Sequence, residues 1–275
     1  MLFAGRASAQ DESVKRITDS IVIEGKALYR SEWASWYGTD IFLDKCKSKK
    51  DLCAGYLSYE TEDGLNNIFF SKGDRPDVMA TTSFDKDFNS NNYKLDTTRR
   101  KFTNLEKALF DLRVTAIKRM GTDTVFKYYK STELNAIPII RNGVKRVYVI
   151  TGTRENDVVI FGNDYMVSFD DKNQITQIKP LHKNIMPAYY KTSQDSGKRQ
   201  VGAMHAHLPG SGDFISATDI CTLMLYEKFT PWNQYYVISK NYVSIWDCKK
   251  NDLFVMTMVA WKRIAEDQTQ RHPKE

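Results

Sequence analysis

"MHAHLPGSGDFISATD", residues 204–219, carries two histidines one residue apart, a Pro/Gly/Ser loop and an aspartate at a helix start. Val201 to His207 reads as a strand and Ser216 to about Phe229 as a helix. On a strand, residues i and i+2 point to the same side, so His205 and His207 project together and Ala206 faces away. Sheets with helical crossovers place ligands at such a strand end, beside the start of the following helix. Ser216 and Asp219, however, also form an ordinary S-x-x-D helix start, with Ser216 as N-cap and Asp219 at the third position. Two readings stay open: a metal site built from a strand end and a helix start, or a strand, a turn and a capped helix holding a satisfied polar cluster. Half of the chain's 4 histidines fall in this one triplet, and the loop turns the chain back toward Asp219, which favours the metal. Asp213, inside the loop, is a second candidate for the carboxylate ligand. His182, in "PLHKN", reads as a surface loop histidine.

Outward from this stretch, strands are expected at Tyr235 to Ile238, Tyr242 to Trp246 and Leu253 to Thr257, followed by a short helical end. Upstream, Val14, Ile17, Ile21, Leu28, Trp33 and Trp36 recur at helical spacing and predict a long first helix from Glu12 to about Tyr37, ended by Gly38. Runs Ala54 to Tyr59, Asn67 to Ser71 and Val78 to Phe84 read as strands, and the polar stretch 85–98 as a loop. Thr103 and Glu106 form a capping box ahead of Leu105, Leu109, Leu112, Ala116 and Met120, which predicts a central helix ending near Gly121. From 122 to 181 the period becomes two: "TVFKYY", "AIPII", "RVYVITG", "VVIFG", "YMVSF" and "ITQIKPL" read as an antiparallel meander with a turn at Asn142-Gly143. A polar link, "KTSQDSGKR", leads to the histidine strand. The fold class is α/β in the α+β sense: a mixed, largely antiparallel sheet with a long N-terminal helix and a central helix. Residues 10–275 are expected to form a single domain.

A chain of 275 residues with 41% apolar and 12% aromatic side chains can bury a core, which argues against global disorder. The net charge of +6 is spread among acids, apart from the run Lys45, Lys47, Lys49 and Lys50. No cationic stripe with stacking aromatics stands out, so no nucleic-acid partner is expected. No stretch approaches the roughly 20 apolar residues of a membrane span. Ala7-Ser8-Ala9 has the A-x-A form of a signal-peptidase site, so residues 1–9 read either as the remnant of a signal peptide, implying export, or as an unstructured terminus. Cys46 and Cys53 are close enough in sequence to close a small loop, and Cys221 and Cys248 fall on elements that can be neighbours. Reduced, buried thiols are the alternative. The chain lacks a C-x-x-C pair, and with it the usual zinc knuckle.

The stretch resembles the JAMM/MPN+ metallopeptidase motif of deubiquitinating isopeptidases, RadC-type bacterial proteins and toxin-associated bacterial domains: His-x-His, seven residues, Ser, two residues, Asp. The resemblance covers about the last 75 residues, with 200–258 as the JAMM-like part, whose strand, helix and strand order is similar to the second half of that fold. This chain has 8 residues between His207 and Ser216, and Leu208 separates His207 from Pro209, where the family has Pro directly. The resemblance implies that His205, His207 and Asp219 ligate zinc (Zn2+), that Ser216 helps hold a developing oxyanion, and that the chain hydrolyses peptide or isopeptide bonds of a peptide or protein substrate. It also implies a glutamate as proton acceptor, for which Glu32 in "SEWASWYG" is the first candidate and Glu155 in "TGTREND" the second. A surface glutamate is the ordinary alternative for each. Without such a glutamate at the metal, the same scaffold reads as an exported, non-catalytic binding or interaction module. Other hydrolase patterns are absent: only His272 follows for an amidohydrolase barrel, and neither a deaminase H-x-E with P-C-x-x-C nor a G-x-S-x-G elbow occurs.

Overall fold

The computed structural model describes residues 2–190 and 201–271, with side chains from Glu12 onward. The side chains of the 1–9 stretch, the polar link 191–199 and His272 lie outside the described residues. The chain forms a mixed α/β fold with a long N-terminal helix and mostly antiparallel sheets. Helix α1 (Leu2–Lys45) is followed by β1 (Cys53–Glu60), β2 (Gly64–Ser71), β3 (Val78–Asp85) and β4 (Tyr93–Asp96), an antiparallel sheet in chain order. Helix α2 (Asn104–Met120) starts at the expected capping box, with the Thr103 hydroxyl accepting from Glu106 N–H and the Glu106 carboxylate from Thr103 N–H. Its buried face, Leu112, Ala116 and Met120, packs on Val147, Val149 and Val167.

Two expectations about boundaries are corrected. Gly38 does not end α1, which runs on to Lys45. A Cβ at Gly38 would sit 2.2 Å from Asn67 Oδ1, so the glycine serves close approach of helix to sheet. The stretch 85–98 is not all loop, because β4 pairs with β3 there, with Tyr93 and Leu95 half-buried along an otherwise exposed edge strand.

The β-rich segment is also rearranged. β5 (Thr132–Arg141), β6 (Val144–Thr153), β8 (Tyr165–Phe169) and β9 (Ile175–Pro180) make one antiparallel sheet. Asn142 and Gly143, both at positive φ, close the β5–β6 hairpin, as that dipeptide favours. β7 (Val158–Gly162) leaves the meander and pairs instead with β10 (Ile185–Tyr189), a strand not expected from sequence because Pro187 and exposed positions interrupt its pattern. "TVFKYY" forms no strand: Phe126 is buried against the Tyr165 ring at 4.6 Å within an irregular segment.

The last part follows its expected order: β11 (Gly202–Ala206), α3 (Ala217–Tyr226), β12 (Gln234–Ile238), β13 (Tyr242–Asp247), β14 (Asp252–Thr257) and a terminal helix α4 (Met258–Arg271). β11 and β12 are parallel, so β11, α3 and β12 form a crossover unit, and the two histidines stand where the strand hands over to the loop before α3. A core of Phe161, Ile215, Ile220, Trp232, Tyr235 and Trp246 ties this unit to β7. All four cysteines are free, three of them buried, as in the reduced alternative.

The close approach at Gly38 is testable. An alanine in a helix interior is normally worth about 1 kcal/mol over glycine, yet Asn67 is pinned by its own amide donating to Ser58 Oγ at 2.8 Å and has no room to retreat. Gly38→Ala is therefore expected to destabilise by about 1–3 kcal/mol in urea unfolding. A stabilised variant would remove the packing role assigned to this glycine.

Candidate metal centre

Four buried side chains from three separate parts of the chain converge: His182 from the β9–β10 loop, His205 and His207 from the end of β11, and Asp219 from the first turn of α3. One ligand atom from each lies within 4.8 Å of every other, so the group can hold a metal ion. Asp219 Oδ2 stands 3.3 Å from His182 Nε2, 3.5 Å from His207 Nε2 and 3.8 Å from His205 Nε2. His182 Nε2 and His207 Nε2 are 3.1 Å apart. Ligands at about 2.0–2.1 Å from a tetrahedral ion lie about 3.3–3.4 Å from one another, so most of these separations already approximate the edges of such a tetrahedron.

The strand alternation places the histidines as read from sequence: His205 and His207 are buried and Ala206 is exposed. Asp219 is fixed by its cap, since Ser216 N–H and Oγ reach its Oδ2 at 2.9 and 2.8 Å while Asp219 N–H donates to Ser216 Oγ at 3.0 Å. Thus Ser216 is beside the centre, but its hydroxyl is engaged by the Asp219 carboxylate. His205 Nδ1 is 3.0 Å from the Tyr235 hydroxyl. With Nε2 kept free as a ligand, Nδ1 carries the proton and donates to that oxygen, which serves as the outer partner that orients a metal-bound imidazole.

His182 is the correction to the sequence reading. It is 4% exposed, not a surface residue. Leu181 N–H donates to Asp164 O at 2.8 Å, drawing the β9–β10 loop against the β7–β8 turn, and the Asp164 carboxylate lies 3.6 Å from His182 Nδ1. Gly162, at φ +81°, leaves space for this loop: a Cβ there would meet Asn184 O at 2.3 Å. One signal was present in sequence, a histidine directly after Leu181, just past the end of β9. Its partner Asp164 was hidden in a Gly-Asn-Asp turn that reads as surface but is buried.

The electrostatics show why this set would welcome a cation. Burial works against charge on His182, but the Asp219 and Asp164 carboxylates outweigh it and push the imidazole up to about 9. Burial drives His205 down to about 4, overcoming Asp219. Asp219 stays well below the usual carboxylate range despite complete burial, because His182 and His205 face it. Burial raises Asp164 to about 7. His205 Nε2, His207 Nδ1, His182 Nδ1 and Asp219 Oδ1 are buried without hydrogen-bond partners. Unsatisfied donors and acceptors of this kind are costly in an interior, and for His205 Nε2, 3.8 Å from Asp219 Oδ2, an ion would supply the missing partner.

The other candidates are not brought here. Asp213 accepts from Asn241 Nδ2 at 3.1 Å across the loop. Glu155 stays exposed in the β6–β7 turn. Glu32 is buried, accepts from Asn135 Nδ2 at 2.7 Å and, among the described residues, makes no hydrogen bond or ion pair with the four cluster residues. Comparison with family models, curated proteins and solved structures finds no match for this chain.

Two outcomes follow. Protein purified without a histidine tag is expected to carry one metal equivalent by elemental analysis, and His205→Ala/His207→Ala none; metal in neither would leave a capped helix and a polar cluster. Burial raises Glu32 to about 7, against the opposing Arg113 charge and the Asn135 hydrogen bond. An acid whose folded pKa is raised stabilises the fold below its unfolded value, here about 4.5, and that stability is lost as pH rises through about 7. Glu32→Gln should therefore gain melting temperature over the parent at pH 8 and not at pH 4.5; equal differences at both pH values would contradict the buried, uncompensated carboxylate.

Proposed function

We propose that the chain is a zinc protein whose centre is closed by His182, His205, His207 and Asp219, and that it serves as a binding or interaction module on a scaffold resembling the second half of the JAMM/MPN+ domain. The observation that carries this is the place of His182, 3.1 Å from His207 and 3.3 Å from Asp219, where it completes a fourth vertex. Catalytic zinc sites keep three protein ligands and an open position, whereas four protein ligands mark a structural site. Imidazole and carboxylate donors in near-tetrahedral separation suit zinc over the octahedral, oxygen-seeking ions. Burial of all four side chains and the engagement of the Ser216 hydroxyl by Asp219 support the same conclusion. In this role the ion fastens the β9–β10 loop, β11 and α3 together. An exported setting, with a peptide or protein as partner, is proposed with it from the Ala7-Ser8-Ala9 triplet.

A second reading, a zinc-dependent hydrolase of peptide or isopeptide bonds, is favoured by one observation. Glu32, raised to about 7, has the proton affinity of a general base and lines a cavity with Thr222, one turn along α3 from Asp219. Bound zinc would then supply Lewis acidity at the vertex that His182 fills, so the loop would have to release that histidine first. His182→Ala separates the two. A closed centre predicts at least a tenfold loss of zinc affinity, a lowered melting temperature and no hydrolysis of peptide or ubiquitin-isopeptide substrates by parent or variant. A hydrolase predicts that the variant keeps its zinc and hydrolyses, and that adding Glu32→Gln abolishes the turnover.

A further inference from the structure

Between α1, β5, β6 and α3 lies a cavity of about 720 Å3, none of whose lining residues belongs to the metal cluster. That volume is within the range of small-ligand sites. Its polar chemistry is one-sided: Glu32, Asp40 and Glu133 contribute three carboxyl groups and Trp36, Tyr56 and Tyr226 three aromatic rings, while no lysine, arginine or histidine among the described residues lines it. The cavity is graded in depth. Glu32, with Ser35 and Thr222, forms a buried floor, and Trp36, Asp40 and Glu133 are exposed at the mouth. There the Trp36 and Tyr226 rings meet edge to face, with centroids 5.6 Å apart. Leu134, Ile150, Ile160 and Leu225 supply apolar wall between mouth and floor.

The floor carboxylate is what points to a ligand. Glu32 is 7% exposed, its Oε2 accepts from Asn135 Nδ2, and its Oε1 makes no hydrogen bond or ion pair among the described residues. The neighbouring cation, Arg113, is turned to Tyr56 instead: its guanidinium donates to the Tyr56 carbonyl and lies 5.0 Å from that ring's centroid. At the mouth, Glu133 meets Arg154 at 3.3 Å, but both side chains are more than half exposed, so the pair is weak and readily exchanged. A buried carboxylate that makes no ion pair among the described residues, reached along an apolar wall from an aromatic and acidic mouth, matches a cation at the end of an aliphatic stem.

We propose that this cavity binds an organic cation, a primary ammonium or guanidinium group on an aliphatic chain, with Glu32 as its counter-ion and the Trp36–Tyr226 pair at the entrance. Two sources share that chemistry: the lysine or arginine side chain of a peptide, and a free polyamine. The site shares no lining residue with the metal cluster, and it rests on the reading in which the centre is closed and Glu32 takes no part in hydrolysis.

The test is calorimetric and NMR titration of the intact, metal-replete protein with Nα-acetyl-lysine-N-methylamide and its arginine counterpart. Nα-acetyl-norleucine-N-methylamide is the neutral control, and spermidine and a lysine-containing hexapeptide distinguish the sources. Saturable binding of the lysine or arginine probe, at least tenfold tighter than norleucine, is expected. Glu32→Gln should weaken it at least tenfold, and Trp36→Leu, at the mouth, about three- to tenfold, with the fold of each variant checked by its NMR spectrum. Tighter binding of the hexapeptide assigns the site to a side chain, and tighter binding of spermidine to a free amine. Absence of saturable binding by the folded parent, equal binding of norleucine, or binding unchanged by Trp36→Leu would overturn the proposal. Zinc content should stay at the parent level in both variants, so a failure here is distinguishable from a failure of the metal centre.

Discussion

A fully buried carboxylate facing three imidazoles organises this molecule. Asp219 has no exposure, and its charge is tolerable only because its own helix start, through Ser216, and three histidines surround it. Each element around it is placed accordingly. β11 ends there with both histidines on one face, α3 begins there with its cap directed inward, and Gly162 makes room for the loop that returns His182. The Phe161, Trp232 and Tyr235 rings close the apolar side, and Tyr235 also gives His205 an outer partner. A divalent ion satisfies this arrangement more completely than a shared proton, because it offers every inward-facing donor atom a bond at once.

The metal centre and the acidic cavity are linked through α3. Asp219, Thr222 and Tyr226 follow one another at helical spacing, so one helix face meets the histidines at its first turn and the cavity at its later turns. A closed centre then has a physical purpose beyond holding an ion. In the proposed closed centre, the ion would lock the start of the helix whose continuation lines the acidic cavity.

How much of this was legible in the sequence follows from the range of each interaction. His205, His207, Ser216 and Asp219 were readable because strand alternation and helix capping are local rules that tertiary context seldom overrides. The capping box of α2 and the Asn142-Gly143 hairpin were readable for the same reason. His182 was not, since its place depends on a loop packed against Asp164, eighteen residues away in another turn. Gly38 looked like a helix stop because local propensity says so, whereas the contact that explains it, Asn67, is across a helix–sheet interface. The departure of β7 from the meander to pair with β10 is likewise a matter of long-range pairing, which a period of two does not specify. Of the site, the local triad was visible, and the fourth vertex, which decides between an open and a closed centre, was not.

Zinc K-edge X-ray absorption on the zinc-loaded protein addresses that vertex directly. A closed centre predicts four-coordinate zinc with three imidazoles and one carboxylate oxygen at about 2.0–2.1 Å, and one imidazole fewer in His182→Ala. Two imidazoles in the parent, with the remaining positions filled by oxygen and no change in His182→Ala, would contradict it.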